Sequence, residues 1–258
     1  MSGLVWNPDD EQRFAAIRDD LVQVSTASAC QLLLSIGWRN TYMLGLLPLQ
    51  PLGLAQRVVG RARTCRFLPC RGPEGPHDPA ARRVSPEIVL IESLEPHDII
   101  CIDALGLPTA GIIGDILSAR ILALGAAAAI VHGAVRDAPF ITGLGLPVFC
   151  ASVHPSNSGR DLVPVDYDLP VDMGGVQVIP GDIILADDEG ALVMPLELAE
   201  WIAAHGPEKE LLESWIREKV AAGGSIHDYY PPSATKFTEY TAETGRPAPN
   251  LEPRMDHT

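Results

Sequence analysis

Residues 111–137 read GIIGDILSARILALGAAAAIVHGAVRD, and this stretch decides the fold class. A Gly-x-x-Gly-Asp turn opens it. The apolar-periodic segment from Ile116 to Leu124 predicts a helix that Gly125 stops. Ala126 to Val131 then reads as a short buried strand, leaving through His132-Gly133-Ala134-Val135-Arg136-Asp137. First-turn N–H groups of a helix lack intrahelical partners and favour anions. A strand that returns beside the helix start delivers Arg136 and Asp137 to that seat. An arginine fork, a carboxylate and a row of free N–H groups suit a small oxo-acid held on a metal.

Outward from this unit, helices and strands alternate. Pro8 to Leu21 reads as a helix with Asp9, Asp10 and Glu11 in its first turn, and Ser25-Thr26 as the N-cap of a second helix that Gly37 ends. Val58 to Leu68 alternates as a strand. Pro69 to Pro86 reads as a loop, and Pro86 to Ser93 as a short helix. Two segments resemble each other, EPHDIICIDALG at 95–106 and IPGDIILADDEG at 179–190. Each predicts a Pro-x-Asp turn, an apolar strand and an Asp-x-x-Gly turn, with Asp98 and Asp182 bonding the turn backbone. Pro147 to Val153 and Leu192 to Pro195 are further strands, and 161–169 with 175–179 a strand pair. Leu196 to Gly223 is helical, with Pro207 expected to divide it in two. The tail carries five prolines after Tyr229-Tyr230 and reads as an extended arm. The expectation is one α/β domain with a layered core over residues 1–228 and an arm over 229–258.

The chain has 258 residues and a formal net charge of −14. That excess of carboxylates, with no basic stripe, argues against a nucleic-acid partner. Five cysteines without tight pairing fit a reducing compartment. No basic-then-apolar leader opens the chain, and its apolar runs are too short to span a bilayer, so a cytoplasmic protein with no membrane partner is expected. Lysine is confined to Lys209, Lys219 and Lys236, outside the central unit, which argues against imine-forming aldol chemistry.

Gly114-Asp115, followed by Gly133-x-x-Arg136-Asp137, resembles the RraA-like family. That family includes divalent-metal-dependent 4-hydroxy-4-methyl-2-oxoglutarate aldolases, oxaloacetate decarboxylases and protein regulators of RNase E. VSTASACQLL, VVGRARTCRFLP and IPGDIILADDEGALVMP support the likeness, which covers roughly Val24 to Pro195. The resemblance implies a layered α/β/β/α sandwich, here with extra N- and C-terminal helices, and a homotrimer or homohexamer with shared active sites. It implies that Gly114, Asp115, Ile116 and Leu117 hold the substrate carboxylate through their backbone. Asp137 would bind Mg²⁺ or Mn²⁺, Arg136 would contact the substrate oxygen near the breaking bond, and Asp115 would hold a water on the metal. A glutamate from a neighbouring subunit's C-terminal helix would complete the site; Glu213 is nearest by position and Glu210 second.

His132 stands where many relatives carry an acidic or amide residue. It is a candidate proton carrier against the blander role of a packed, hydrogen-bonded histidine. The expected function is a metal-dependent carbon–carbon lyase on a 2-oxo acid, acting by retro-aldol cleavage or decarboxylation through an enolate and releasing pyruvate or a similar oxo acid. The alternatives are a non-catalytic protein-binding regulator and a lyase or hydratase on a sugar-derived acid, with His97, His132 and the 69–86 loop setting specificity.

Overall fold

A computed structural model describes residues 6–71 and 79–250. Helices α1 (Pro8–Leu21) and α2 (Thr26–Ser35) lead into a two-residue strand β1 (Leu47–Pro48) and the long strand β2 (Val58–Pro69). Short helices α3 (Pro79–Arg83) and α4 (Pro86–Glu92) follow, then β3 (Asp98–Asp103), α5 (Asp115–Ala123), β4 (Ala128–Val135), α6 (Ala138–Leu144) and β5 (Val148–Val153). The second half holds β6 (Leu162–Tyr167), β7 (Val171–Asp172), β8 (Gln177–Val178), β9 (Ile183–Asp187), β10 (Gly190–Met194), α7 (Leu196–Ala221), α8 (Ile226–Tyr229) and α9 (Ala234–Thr244).

The large sheet runs β1-β5-β4-β3-β2-β9-β10, with β6 on β2, and β7-β8 forms a separate hairpin. β2 through β5 are parallel neighbours, whereas β9 and β10 are antiparallel. The segment before β1 bonds β10, Val193 N–H donating to Thr41 O and Met43 N–H to Ala191 O, so the sheet folds back on itself.

Three apolar clusters show the layers. Ile99, Cys101, Ile130 and Phe149 face Ile184, Ala186, Ala191 and Val193 inside the folded sheet. Ile100, Ile102, Ala129 and Val131 on the opposite face of the parallel strands pack with Leu90, Ile91 and Ile121 of α4 and α5. Ile183, Leu185 and Leu192 pack with Phe14, Leu33, Leu198 and Ile202 of α1, α2 and α7. The result is the α/β/β/α sandwich that the family resemblance implies. β3 and β4 read as continuous apolar runs because both their faces are covered. Each fully buried Ile or Phe contributes about 1.5–3 kcal/mol.

The two similar segments are β3 and β9 with their turns, and they flank β2 on its two sides. Asp98 Oδ2 accepts from Glu95 N–H at 2.9 Å, and Asp182 Oδ2 from Ile179 N–H at 2.8 Å. At the far ends Asp103 Oδ1 accepts from Leu105 N–H and Asp187 Oδ1 from Glu189 N–H, each at 2.9 Å. His97 has φ +69° where the second copy has Gly181 at +95°, so the histidine occupies a left-handed position. Asp98 does more than close its turn. Wholly buried, it also pairs with Arg61 at 2.7 Å and Arg63 at 3.2 Å.

Three expectations are corrected. Pro207 does not divide the C-terminal helix, which runs unbroken from Leu196 to Ala221. An internal proline costs about 3 kcal/mol, but here burial on both sides offsets it. Leu198 and Ile202 lie in the main core, and Leu212, Trp215 and Ile216 in a C-terminal cluster. Gly206 lets the helix lie close to the chain before α2, since a Cβ there would sit 2.4 Å from Val24 Cγ2.

The tail is not an extended arm up to residue 250, because α9 forms and buries Tyr240. Tyr240 and Tyr229 pack on Trp215 with ring centroids 5.4 and 5.6 Å away. The end of the tail, 251–258, lies outside the described residues. Finally, β6 does not pair with 175–179. It pairs with the distal half of β2, Leu162 opposite Pro69 and Tyr167 opposite Cys65, across a bulge at Arg66/Phe67. β2 is long enough for β9 and β6 to share one edge. The 69–86 stretch contains α3, and its residues 72–78 lie outside the described residues.

Candidate active site

The 111–137 unit folds as its pattern predicts, with α5 ending at Gly125 (φ +83°) and β4 extending through Val135. Beyond β4 the chain stays beside the start of α5. Ile112 N–H donates to Ala134 O at 2.8 Å and Arg136 N–H to Ile113 O at 2.9 Å. Gly114 is the N-cap of α5 and has no side chain to cap the first-turn N–H groups. Asp115 Oδ1 accepts from Ile116 N–H at 2.8 Å.

Arg136 and Asp137 close the other side. Arg136 Nε donates to Asp137 Oδ2 at 2.9 Å, and no further bond of its guanidinium is made among the described residues. Asp137 sits at the N-cap of α6 with φ +55°, yet its side chain does not cap that helix. A left-handed aspartate costs less than most residues there, and the conformation turns its carboxylate towards α5. The approach is so close that a Cβ on Gly114 would lie 2.5 Å from Asp137 Oδ2 and 3.2 Å from Arg136 Cγ. A Cβ on Gly111 would likewise lie 2.7 Å from His154 O and 2.8 Å from Arg136 Cβ. Gly114→Ala is therefore expected to push Asp137 aside at a cost of about 1–3 kcal/mol, the usual range for overpacking. Denaturant unfolding of the variant measures it.

These residues line a cleft of about 680 Å³. Gly114, Asp115, Ile116, Leu117, Arg136 and Asp137 form one wall; Arg82, Ser85 and Pro86 from α3 and α4, and Asn157 and Ser158, form others. Arg82, Ser85 and Pro86 fall in the 69–86 stretch offered from the sequence as a specificity loop, whereas Asn157 and Ser158 carried no such signal. The bridge of Gly111 to both Ala134 and Asn157 is what brings 157–158 in. That pairing links residues distant in sequence and leaves no local signal.

His132 does not line the cleft. It points towards β7, with Nδ1 3.2 Å from Asp172 O and 3.4 Å from Asp103 Oδ1. The hydrogen bond to Asp103 raises its pKa, against the lowering effect of burial. This is the packed, hydrogen-bonded histidine of the blander reading. Within the protomer Glu213 and Glu210 also lie elsewhere. Glu210 accepts from Ser25 N–H at 2.8 Å and from its hydroxyl at 2.5 Å, while Glu213 pairs with Lys209 and accepts from Ser28 Oγ at 3.4 Å. Glu213 borders a separate cavity between α2, α7 and Tyr230.

No cluster of three or more His, Cys, Asp or Glu is present among the described residues. Asp137, in a cleft that Asp115 also lines, fits Mg²⁺ or Mn²⁺, because such ions take one or two protein carboxylates and leave room for water and substrate. The gap over Gly114, which any Cβ would fill, keeps the Asp137 carboxylate open to the cleft.

The model of the RraA-like family, described as Aldolase/RraA, matches residues 22–193. The chain belongs to the RraA-like family. RraAS2 of Streptomyces coelicolor, described as an unusual member of the RNase ES inhibitor RraA protein family, is 33% identical. It superposes with a TM-score of 0.68 over 78% of this chain and 96% of that one. A provisionally named 4-hydroxy-4-methyl-2-oxoglutarate aldolase of Halalkalibacterium halodurans is 29% identical over 63% of this chain and 71% of its own length. Protein DlpA of Legionella pneumophila is 30% identical over 70% of this chain, but the match spans only 28% of DlpA. No helix among the described residues is long and apolar enough to cross a membrane.

Proposed function

We propose that this RraA-like protein is a divalent-metal-dependent carbon–carbon lyase acting on a 2-oxo acid. One observation carries the reading: the Arg136–Asp137 pair stands against the uncapped start of α5 across a gap that only glycine leaves open. In this reading Asp137 would hold Mg²⁺ or Mn²⁺ and Asp115 a water on it, and the metal supplies Lewis-acid polarisation of the 2-oxo group when bound.

The chain's own groups account for the rest. The first-turn N–H groups from Gly114 to Leu117 orient the substrate carboxylate. Cleavage of the bond beyond C3 leaves its electron pair on C3, conjugated with the C2 carbonyl, so negative charge develops on the C2 oxygen. Arg136 presents its planar fork to that oxygen. Loss of an oxo fragment (retro-aldol, the hydroxyl on C4 giving up its proton as its oxygen becomes a carbonyl) and loss of CO2 (decarboxylation) produce the same charge, and a proton from solvent is delivered to C3 in both. A trimer or hexamer would let Glu213 of one subunit reach its neighbour's cleft. Within its own subunit each carboxylate already has partners, Glu213 in Lys209 and Ser28 and Glu210 in the N-cap residue of α2, and a neighbour's cleft would have to compete with them.

The test is pyruvate release from oxaloacetate and from 4-hydroxy-4-methyl-2-oxoglutarate, with Mg²⁺ and after EDTA. The expected result is release that EDTA abolishes and Mg²⁺ or Mn²⁺ restores. Absence of release from both under metal would overturn the lyase reading. It would favour the protein-binding one, which the likeness to RraAS2 supports.

A further inference from the structure

Glu87, on the first turn of α4, is wholly buried, and neither carboxylate oxygen has a hydrogen-bond partner among the described residues. Its neighbour Ser85 also leaves a buried hydroxyl unpartnered. A buried acid is normally hydrogen-bonded or tightly paired, because desolvating its charge is costly. Here the one ion pair is long, 3.8 Å to Nη2 of Arg82, whose side chain is half exposed. Arg82 lines the cleft, and with Arg136 it makes up the basic lining among the described residues. Glu87 itself does not line it.

We propose that Arg82 is a specificity-determining residue that reads a second, distal anionic group of the substrate, and that Glu87 is the resting partner it leaves when that group arrives. The inference rests on the lyase reading. It adds that Arg82 is the residue that reads the distal carboxylate and that substrate binding is coupled to a proton. With Arg82 engaged elsewhere, Glu87 is a buried charge without a counter-ion and takes up a proton.

The surroundings support the coupling. Burial pushes the Glu87 carboxyl up to about 7, with Arg82 the one charge pulling it down. Of the other charged groups on the packed elements, Arg63 of β2 pairs with Asp98 and Asp168, Asp115 of α5 accepts from Ile116 N–H, and Arg83 of α3 adds a further positive charge. On β2 the Cys65 thiol is pushed well up by burial, then by Glu87. Asp166 of β6 pairs with Arg66, and Arg120 of α5 with Glu92. Loss of Arg82 therefore raises the Glu87 pKa further, and uptake is measurable just above neutral pH.

Calorimetry on the full chain with Mg²⁺ compares 2-oxoglutarate with 2-oxopentanoate, which has the same carbon chain without the distal carboxylate. Repeating it at pH 7.5 in buffers of different ionisation enthalpy counts protons. The wild type is expected to prefer 2-oxoglutarate by about tenfold, the scale of one charge-assisted hydrogen bond, with uptake of a fraction of a proton. The preference should vanish in Arg82→Met. Glu87→Gln should keep it and lose the proton uptake; this variant removes a buried charge, and if it does not fold, the wild-type and Arg82→Met measurements still decide. Equal affinities in the wild type, a preference that survives Arg82→Met, or identical proton uptake for both acids would overturn the inference alone. Failure of the wild type to bind either acid would overturn the lyase reading with it.

Discussion

Asp137→Asn is expected to lower kcat/KM for the oxo acid by about a thousandfold, the upper range for losing one preorganised charged group at a reacting centre. Asparagine is the informative substitution because Asp137 has φ +55°, a conformation Asn tolerates and Ala does not. The carbonyl of residue 137 would still accept from Phe140 and Ile141 N–H at 2.9 and 3.1 Å, so the start of α6 is kept. The ion pair with Arg136 is part-exposed and contributes at most about 1 kcal/mol, so the unfolding midpoint should barely move. The variant should also need far more Mg²⁺ for half-maximal activity. Activity within tenfold of wild type at unchanged metal demand would show that Asp137 only steers Arg136.

How much of this was legible beforehand follows from the range over which each signal acts. Local periodicity placed α1, α2, α5 and β3 to β5, because each carries its own stop signal or apolar run, such as Gly125 after α5. The layering was legible too, since β3 and β4 are apolar on both faces. Pro207 misled because a local rule was applied to a helix whose two halves are each buried by distant residues, Phe14 and Val24 on one side and Tyr240 on the other. The tail misled similarly. Its prolines outweighed two aromatic residues, Tyr229 and Tyr240, that have value only against Trp215.

The same division runs through the site. Gly114, Asp115, Arg136 and Asp137 lie within one supersecondary unit, so their meeting could be read from strand and helix lengths. The steric reason for Gly114 could not, because it depends on the left-handed turn at Asp137. The 69–86 stretch could be offered as a specificity loop, but Arg82 could not be singled out within it, because its place in the cleft depends on how α3 and α4 lie against the start of α5.

Arg136→Lys separates charge from geometry. Arg136 Nε is held by Asp137 Oδ2 at 2.9 Å, and this bond fixes the plane of the guanidinium while its two Nη groups stay available. Lysine keeps the positive charge but has no branch to be held and no second donor at a set angle. If Arg136 merely attracted the anionic substrate, lysine would do nearly as well, and any loss would appear in KM. If instead the fork meets charge that develops on the C2 oxygen during bond cleavage, the loss appears in kcat. The expected result is a fall in kcat of about a hundredfold, as when one transition-state donor is removed, with KM changed by less than about threefold. Side-chain exposure of 38% makes a folding defect an unsuitable explanation for such a loss, and circular dichroism with an unchanged unfolding midpoint checks that directly. A variant with near-normal kcat and a raised KM would place Arg136 among the groups that bind substrate and transition state alike, leaving the first turn of α5 and the metal to stabilise the developing charge.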